Sequence, residues 1–220
     1  MKVFKFFSII ILFASPLFTS NSLFADRDIN FVDITDIAGV GDMSHSSSCA
    51  MVDFDNNGLI DIYLCIKNHP NKLYWNSDGT HFIDVAKLTH VDDSSTSMDC
   101  AFADINNDGW FDLFVSNEFD SSRTYLNLGN GIYEDITSSA GIYTNNYAHS
   151  PTFADIDRDG DLDLYLTNAY DYNWMFFNNG DNTFTDSTEW SGIPGLGASF
   201  GCFFGDINND IIPDLYIVSR

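Results

Sequence analysis

From residue 46 onward, short apolar runs flank acidic turns at a constant spacing. Ala50-Met51-Val52, Ala101-Phe102-Ala103, Thr152-Phe153-Ala154 and Phe203-Phe204 precede the turns. Ile62-Tyr63-Leu64, Leu113-Phe114-Val115, Leu164-Tyr165-Leu166 and Leu215-Tyr216-Ile217 follow them. Runs this short, rich in β-branched and aromatic residues and bounded by Asp, Asn and Gly, predict strands; their unbroken apolar character predicts cover on both faces. A third strand is expected at Tyr74, Tyr125 and Phe176, each followed two residues on by Asn76, Asn127 or Asn178. A turn such as Asn179-Gly180-Asp181-Asn182 then leads into a fourth, marked by Phe184/Asp186 and earlier by Phe31/Asp33, Phe82/Asp84 and Tyr133/Asp135. No long amphipathic helix is evident.

The turns are Asp53-Phe-Asp-Asn-Asn-Gly-Leu-Ile-Asp61, Asp104-Ile-Asn-Asn-Asp-Gly-Trp-Phe-Asp112, Asp155-Ile-Asp-Arg-Asp-Gly-Asp-Leu-Asp163 and Asp206-Ile-Asn-Asn-Asp-Ile-Ile-Pro-Asp214, and each starts 51 residues after the last. Four short antiparallel strands in roughly 50 residues is the unit of a β-propeller blade, which hides its apolar faces only against neighbouring blades. The predicted class is therefore all-β, a propeller of four-stranded antiparallel blades. Phe31–Ile34 reads as the outer strand of a preceding blade, and the last repeat stops after its second strand. About three and a half blades are present by this count, against the four to eight that close a ring. The rest is expected from a longer chain or from another copy.

Residues 1–25 read differently. Lys2 and Lys5 precede the apolar run Phe6–Ala14, and small residues lead to Asp26, the three-part pattern of a secretory signal peptide with cleavage after Ala25 or Ser22. The run is too short to span a bilayer, and Pro16 breaks any helix that would extend it. We expect residues 26–220 to form the exported part, secreted, periplasmic or at the cell surface.

Charge then narrows the function. The chain has 220 residues, 32 Asp+Glu against 9 Lys+Arg, and a formal net charge of −23; loss of the two leader lysines makes it −25. Nucleic acid is excluded as a partner, because phosphate binding needs clustered basic residues. Disorder is excluded as well, since 45% hydrophobic and 15% aromatic residues are ample for a packed core.

Much of the acid sits in the turns, at alternate positions that a tight loop aims at one centre. The candidate ligands are Asp53, Asp55, Asn57 and Asp61; Asp104, Asn106, Asp108 and Asp112; Asp155, Asp157, Asp159 and Asp163; and Asp206, Asn208, Asp210 and Asp214. The carbonyls of Leu59, Trp110, Asp161 and Ile212 add a further oxygen to each. Hard oxygen donors in this number suit Ca²⁺, whereas Mg²⁺ prefers a small octahedral shell with retained waters. Gly58, Gly109 and Gly160 supply the positive φ the turn demands. An EF-hand is excluded, because its acidic ligand at position 12 is replaced by Leu64, Val115, Leu166 and Ile217. The bland reading, in which the Asp and Asn only make Asx-turns, strains against four loops in register. Loop 155–163, with four ligand carboxylates, is expected to bind most tightly. Loop 206–214 is expected to be weak, because Ile211 takes the glycine position and Pro213 stiffens the exit. Three calcium sites and a weak fourth are the expectation.

These loops between apolar strands, with the Leu73-Tyr74-x-Asn76 and Phe184-x-Asp186 landmarks, resemble FG-GAP/VCBS repeats, the blades of the integrin α-subunit propeller. Phe200-Gly201 followed by Gly205-Asp206-Ile207-Asn208 is close to the phrase that names the repeat. The recurrent Ala38-Gly39-Val40 and Ala140-Gly141-Ile142 are similar to the cartilage acidic protein-like, ASPIC/UnbV-associated group. The resemblance covers residues 29–220 and implies a seven-bladed ring, calcium loops that stiffen one face, and partners bound elsewhere. It leaves activity open, since such repeats occur in adhesion proteins and in some carbohydrate-active enzymes.

The remaining chemistry is sparse. Cys49, Cys100 and Cys202 fall at equivalent places on inner strands, too far apart for a disulfide, so with Cys65 they are expected to be buried free thiols. The five histidines do not repeat in register, and no nucleophile elbow or Ser-His-Asp spacing occurs. Two functions remain: an exported calcium-binding scaffold for a protein or glycan partner, without catalysis of its own, or part of a polysaccharide lyase or hydrolase built on the same propeller.

Overall fold

A computed structural model describes residues 12–14, 31–144, 146–192 and 198–219. The 51-residue repeats fold as three complete four-stranded antiparallel sheets. Blade 1 is β3 (Ser46–Val52), β4 (Asp61–Ile66), β5 (Lys72–Asn76) and β6 (Phe82–Asp84). Blade 2 is β7 (Ser97–Ala103), β8 (Asp112–Asn117), β9 (Arg123–Asn127) and β10 (Tyr133–Asp135), and blade 3 is β11 (Ala148–Ala154), β12 (Asp163–Asn168), β13 (Trp174–Asn178) and β14 (Phe184–Asp186). A fourth blade has only β15 (Ser199–Gly205) and β16 (Asp214–Ser219) among the described residues. β1 (Leu12–Ala14) pairs with β2 (Phe31–Asp33) in a separate two-stranded sheet. Apart from Leu12–Ala14, the segment read as an export signal lies outside the described residues. Two four-residue helices, α1 (Thr35–Ala38) and α2 (Ala86–Thr89), follow β2 and β6; α1 ends on Gly39 at φ 77°, which accounts for the Ala-Gly-Val phrase. No described helix is long and apolar enough to cross a membrane.

The core lies between blades rather than within them. One apolar cluster joins Tyr63, Cys65 and Leu73 of blade 1 to Leu113, Val115 and Tyr125 of blade 2, and a second joins Phe114 of blade 2 to Leu164, Leu166 and Phe176 of blade 3. β4, β8 and β12 are buried at every residue, as their unbroken apolar runs predict. Each blade meets the next through an edge-on aromatic pair: Tyr63–Phe102 at 6.1 Å, Phe114–Phe153 at 6.5 Å and Tyr165–Phe204 at 6.3 Å between centroids. Tyr216, next in this series, is 54% exposed because no described blade follows it.

All four cysteines are free thiols. Cys65 and Cys100 are buried, and burial pushes the Cys65 thiol well above its usual pKa. The expectation that all four are buried needs correction. Cys49 is exposed, because no described blade packs on the outer face of blade 1 to cover β3, and Cys202 is half-buried.

Candidate metal centres

Each acidic loop joins the first strand of a blade to the second, so all four stand at the same end of their blades. The loops wind through two left-handed residues. Position 6 is Gly58, Gly109 and Gly160 at φ 86–99°, and in the fourth loop Ile211 is held at φ 70°, the conformation disfavoured for a β-branched residue. Position 4 is left-handed too, at Asn56, Asn107, Arg158 and Asn209. Asn in three of the four was a readable signal for this, since Asn tolerates that region best after Gly.

In two of the four loops three carboxylates converge. In loop 53–61, Asp53, Asp55 and Asp61 each bring a carboxylate oxygen within 4.8 Å of the others, and Asp155, Asp157 and Asp159 do the same in loop 155–163. These are acidic clusters that could hold a metal ion. Loops 104–112 and 206–214, which have Asn106 and Asn208 at position 3, form no such three-carboxylate group among the described residues. Backbone amides hold the first ligands: Gly58 N donates to Asp53 Oδ2 at 2.8 Å, Gly109 N to Asp104 Oδ2 at 2.9 Å, Gly160 N to Asp155 Oδ2 at 3.2 Å and Ile211 N to Asp206 Oδ2 at 2.9 Å. Position 5 caps position 7, as Leu59 N to Asn57 Oδ1, Trp110 N to Asp108 Oδ1, Asp161 N to Asp159 Oδ1 and Ile212 N to Asp210 Oδ1. Asx-turn bonding and inward aim therefore coexist in the same residues. The Trp75 indole N–H donates to Asp55 Oδ2 at 2.7 Å and places a ring beside the first cluster.

The position-9 aspartates have a second task that spacing did not reveal. Asp61 is fully buried; its Oδ2 accepts from Phe54 N at 3.1 Å and its Oδ1 from Asn76 N at 2.7 Å. Asp112 repeats this with Ile105 N and Asn127 N, and Asp163 with Ile156 N and Asn178 N. Each carboxylate so pins the loop entry to the third strand. Burial raises these carboxyls, to about 6 for Asp61 and Asp163 and about 7 for Asp112, against the lowering effect of the amides.

The same asparagines bolt blade to blade. Asn127 Nδ2 donates to Phe54 O at 3.0 Å and Asn178 Nδ2 to Ile105 O at 2.7 Å, carbonyls of the preceding blade's loop. Asn56 Nδ2 reaches Gly109 O at 3.2 Å, and Asn107 Nδ2 reaches Gly160 O at 3.3 Å and Asp161 Oδ1 at 2.7 Å. Loops 53–61, 104–112 and 155–163 thus form one connected rim.

The family model for FG-GAP-like repeats matches residues 53–115, 104–166 and 159–217. The chain belongs to the FG-GAP-like repeat family. Each match runs from an acidic loop through a complete FG-GAP repeat to the strand that follows the next loop. Among curated proteins the chain is similar to cartilage acidic protein 1 of Mus musculus, 28% identical over 62% of this chain, and to that of Xenopus tropicalis, 29% identical over 51%. It spans about a fifth of the length of these relatives, 22% and 18%. Among solved structures, the Tc holotoxin pore of Photorhabdus luminescens aligns with 77% of this chain and 8% of its own, at 18% identity and a TM-score of 0.43.

Proposed function

We propose that this FG-GAP-like chain is an exported calcium-binding scaffold that presents its blades to a protein or glycan partner. One observation carries the calcium reading: Asp155 Oδ1, at the head of the loop richest in carboxylates, is shielded from solvent and has no hydrogen-bond partner. An orphaned, shielded carboxylate oxygen costs free energy unless something charged faces it. The donor set fits Ca²⁺, being oxygen throughout. Asp155, Asp157, Asp159, Asp163 and the Asp161 carbonyl would hold an ion in the third loop, Asp53, Asp55, Asn57, Asp61 and the Leu59 carbonyl one in the first, and Asp104, Asn106, Asp108, Asp112 and the Trp110 carbonyl one in the second. Asp206, Asn208, Asp210 and Asp214 form a weak fourth site, burdened by Ile211. Bound calcium would supply the positive charge that the thirteen ligand carboxylates lack. The residues themselves set the loop path, tie loop to third strand, and link one loop to the next, so that ion binding at one rim stiffens neighbouring blades.

Export follows from the leader pattern in residues 1–25, and the scaffold role from repeats whose regular positions are all taken up by fold and loops. Isothermal calorimetry on chelator-treated protein tests the reading. Three sites are expected, the tightest weakened by Asp157→Asn, which gives the third loop the ligand set of the second; heat absent at all calcium concentrations, or four sites of equal affinity, contradicts it.

A further inference from the structure

The repeat changes its chemistry most sharply on the face opposite the acidic loops. There the loop between second and third strands meets the chain leaving the fourth, and blades 1 and 3 each form a groove at that place, of about 420 Å³ and 630 Å³. In blade 1 the groove is furnished with its own cations: Lys72 Nζ lies 2.7 Å from Asp42 Oδ2 and 5.6 Å from the Tyr74 ring centroid, and Lys87 lines the same groove. In blade 2 the register of Lys72 is taken by Arg123, 4.0 Å from Asp93 and 3.8 Å from Asp135.

Blade 3 keeps the acid and loses the cation. Asp186 stands in the register of Asp84 and Asp135, but Trp174 replaces the lysine, Glu189 stands where blade 1 has Lys87, Asp171 where it has His69, and Trp190 where it has Leu88. The groove is walled by Tyr172, Trp174 and Trp190 and edged by Asp171, Asp186 and Glu189. Trp190 is 89% exposed and Tyr172 60% exposed, so their faces are open to a ligand. Among the described residues no Lys, Arg or His pairs with any of the three acids.

We propose that the blade 3 groove recognises a basic side chain, arginine above all, projecting from a protein partner. A planar guanidinium stacks on indole and phenol faces while its N–H fork meets carboxylates, which an ammonium does less well. Three acids without a cation repel phosphate or acidic ligands. A neutral glycan would use the rings and leave the charges unanswered. The volume suits one side chain with its flanking backbone. This inference rests on the scaffold reading and assigns it a protein rather than a glycan.

The test uses the full chain in calcium, titrated with acetyl-argininamide, acetyl-lysinamide and acetyl-glutaminamide and read by indole NMR signals. Arginine amide should shift the Trp174 and Trp190 signals saturably, lysine amide more weakly, and glutamine amide not at all, with affinity falling as salt rises. Trp174→Lys and Glu189→Lys each install what blade 1 carries at that register, so the fold should tolerate both; each should weaken arginine binding about tenfold. Equal shifts with glutamine amide, undiminished binding in both variants, or shifts with cellohexaose and none with arginine amide would overturn the proposal. Calorimetric calcium uptake on the same sample reports the scaffold separately: loss of arginine binding with calcium uptake intact removes only the groove.

Discussion

Asn178 makes the clearest single test of how blades are joined. Its side chain is buried and forms three hydrogen bonds: Nδ2 to Ile105 O at 2.7 Å in the preceding blade's loop, Nδ2 to Leu162 O at 3.2 Å, and Oδ1 from Gly180 N at 3.0 Å. At about 1 kcal/mol net for each bond, Asn178→Ala should cost about 3 kcal/mol. For a domain of this size that lowers the melting temperature by about 6–12 °C. Asn76 holds the same register in blade 1 but, among the described residues, its side chain makes only the two local bonds, to Ile60 O and from Gly79 N. Asn76→Ala should therefore cost about 2 kcal/mol, and the difference of about 1 kcal/mol isolates the inter-blade bond. Urea unfolding of both variants in calcium buffer, with equal slopes, measures it. Equal midpoints for the two variants would refute the inter-blade bolt, and a loss below about 0.5 kcal/mol in Asn178→Ala would refute the hydrogen-bond reasoning as a whole.

The loops and thiols give three further expected outcomes. Ile211→Gly should stabilise the chain by about 0.5–1 kcal/mol, by relieving a β-branched residue at φ 70°, and should raise calcium affinity at the fourth loop; calorimetry showing neither effect contradicts the strain. Gly160→Ala should destabilise by about 1–2 kcal/mol through backbone strain alone, since a Cβ there meets no atom within 4 Å, and a neutral result in thermal unfolding tells against it. In native protein a thiol reagent should label Cys49 quickly and leave Cys65 and Cys100 unlabelled until denaturant is added; rapid labelling of Cys65 would show that blades 1 and 2 separate readily.

The strand order was legible because a 51-residue period forces every feature to recur: once Ile62-Tyr63-Leu64 reads as a strand, so do its three copies, although Leu215-Tyr216-Ile217 lacks a following described blade to bury it. The winding of the acidic loops was legible for the same reason, with Gly58, Gly109 and Gly160 at positive φ. What escaped were relations across the period. That Asn127 reaches Phe54, 73 residues away, needs the stacking of blades and not the pattern within one. The backbone bonds of Asp61 were hidden because alternate spacing marks a carboxylate as a ligand and says nothing of amides fifteen residues on. Cys49 carries the same local pattern as Cys100, and only its place at the open side of blade 1 exposes it. The blade 3 groove lay in the sequence as departures from register, but Asp171, Trp174 and Glu189 become one site only when three separate segments are folded together.

The central claim is that divalent ions in the acidic loops hold the stacked sheets firm. The melting temperature of the chain across a calcium titration, from excess EGTA to millimolar ion, measures it most directly. Each occupied site at a hundredfold its dissociation constant adds about 2.7 kcal/mol, so a continuous rise of several degrees or more is expected, reversed by chelator. A melting temperature that is the same in EGTA and in millimolar calcium would contradict the account.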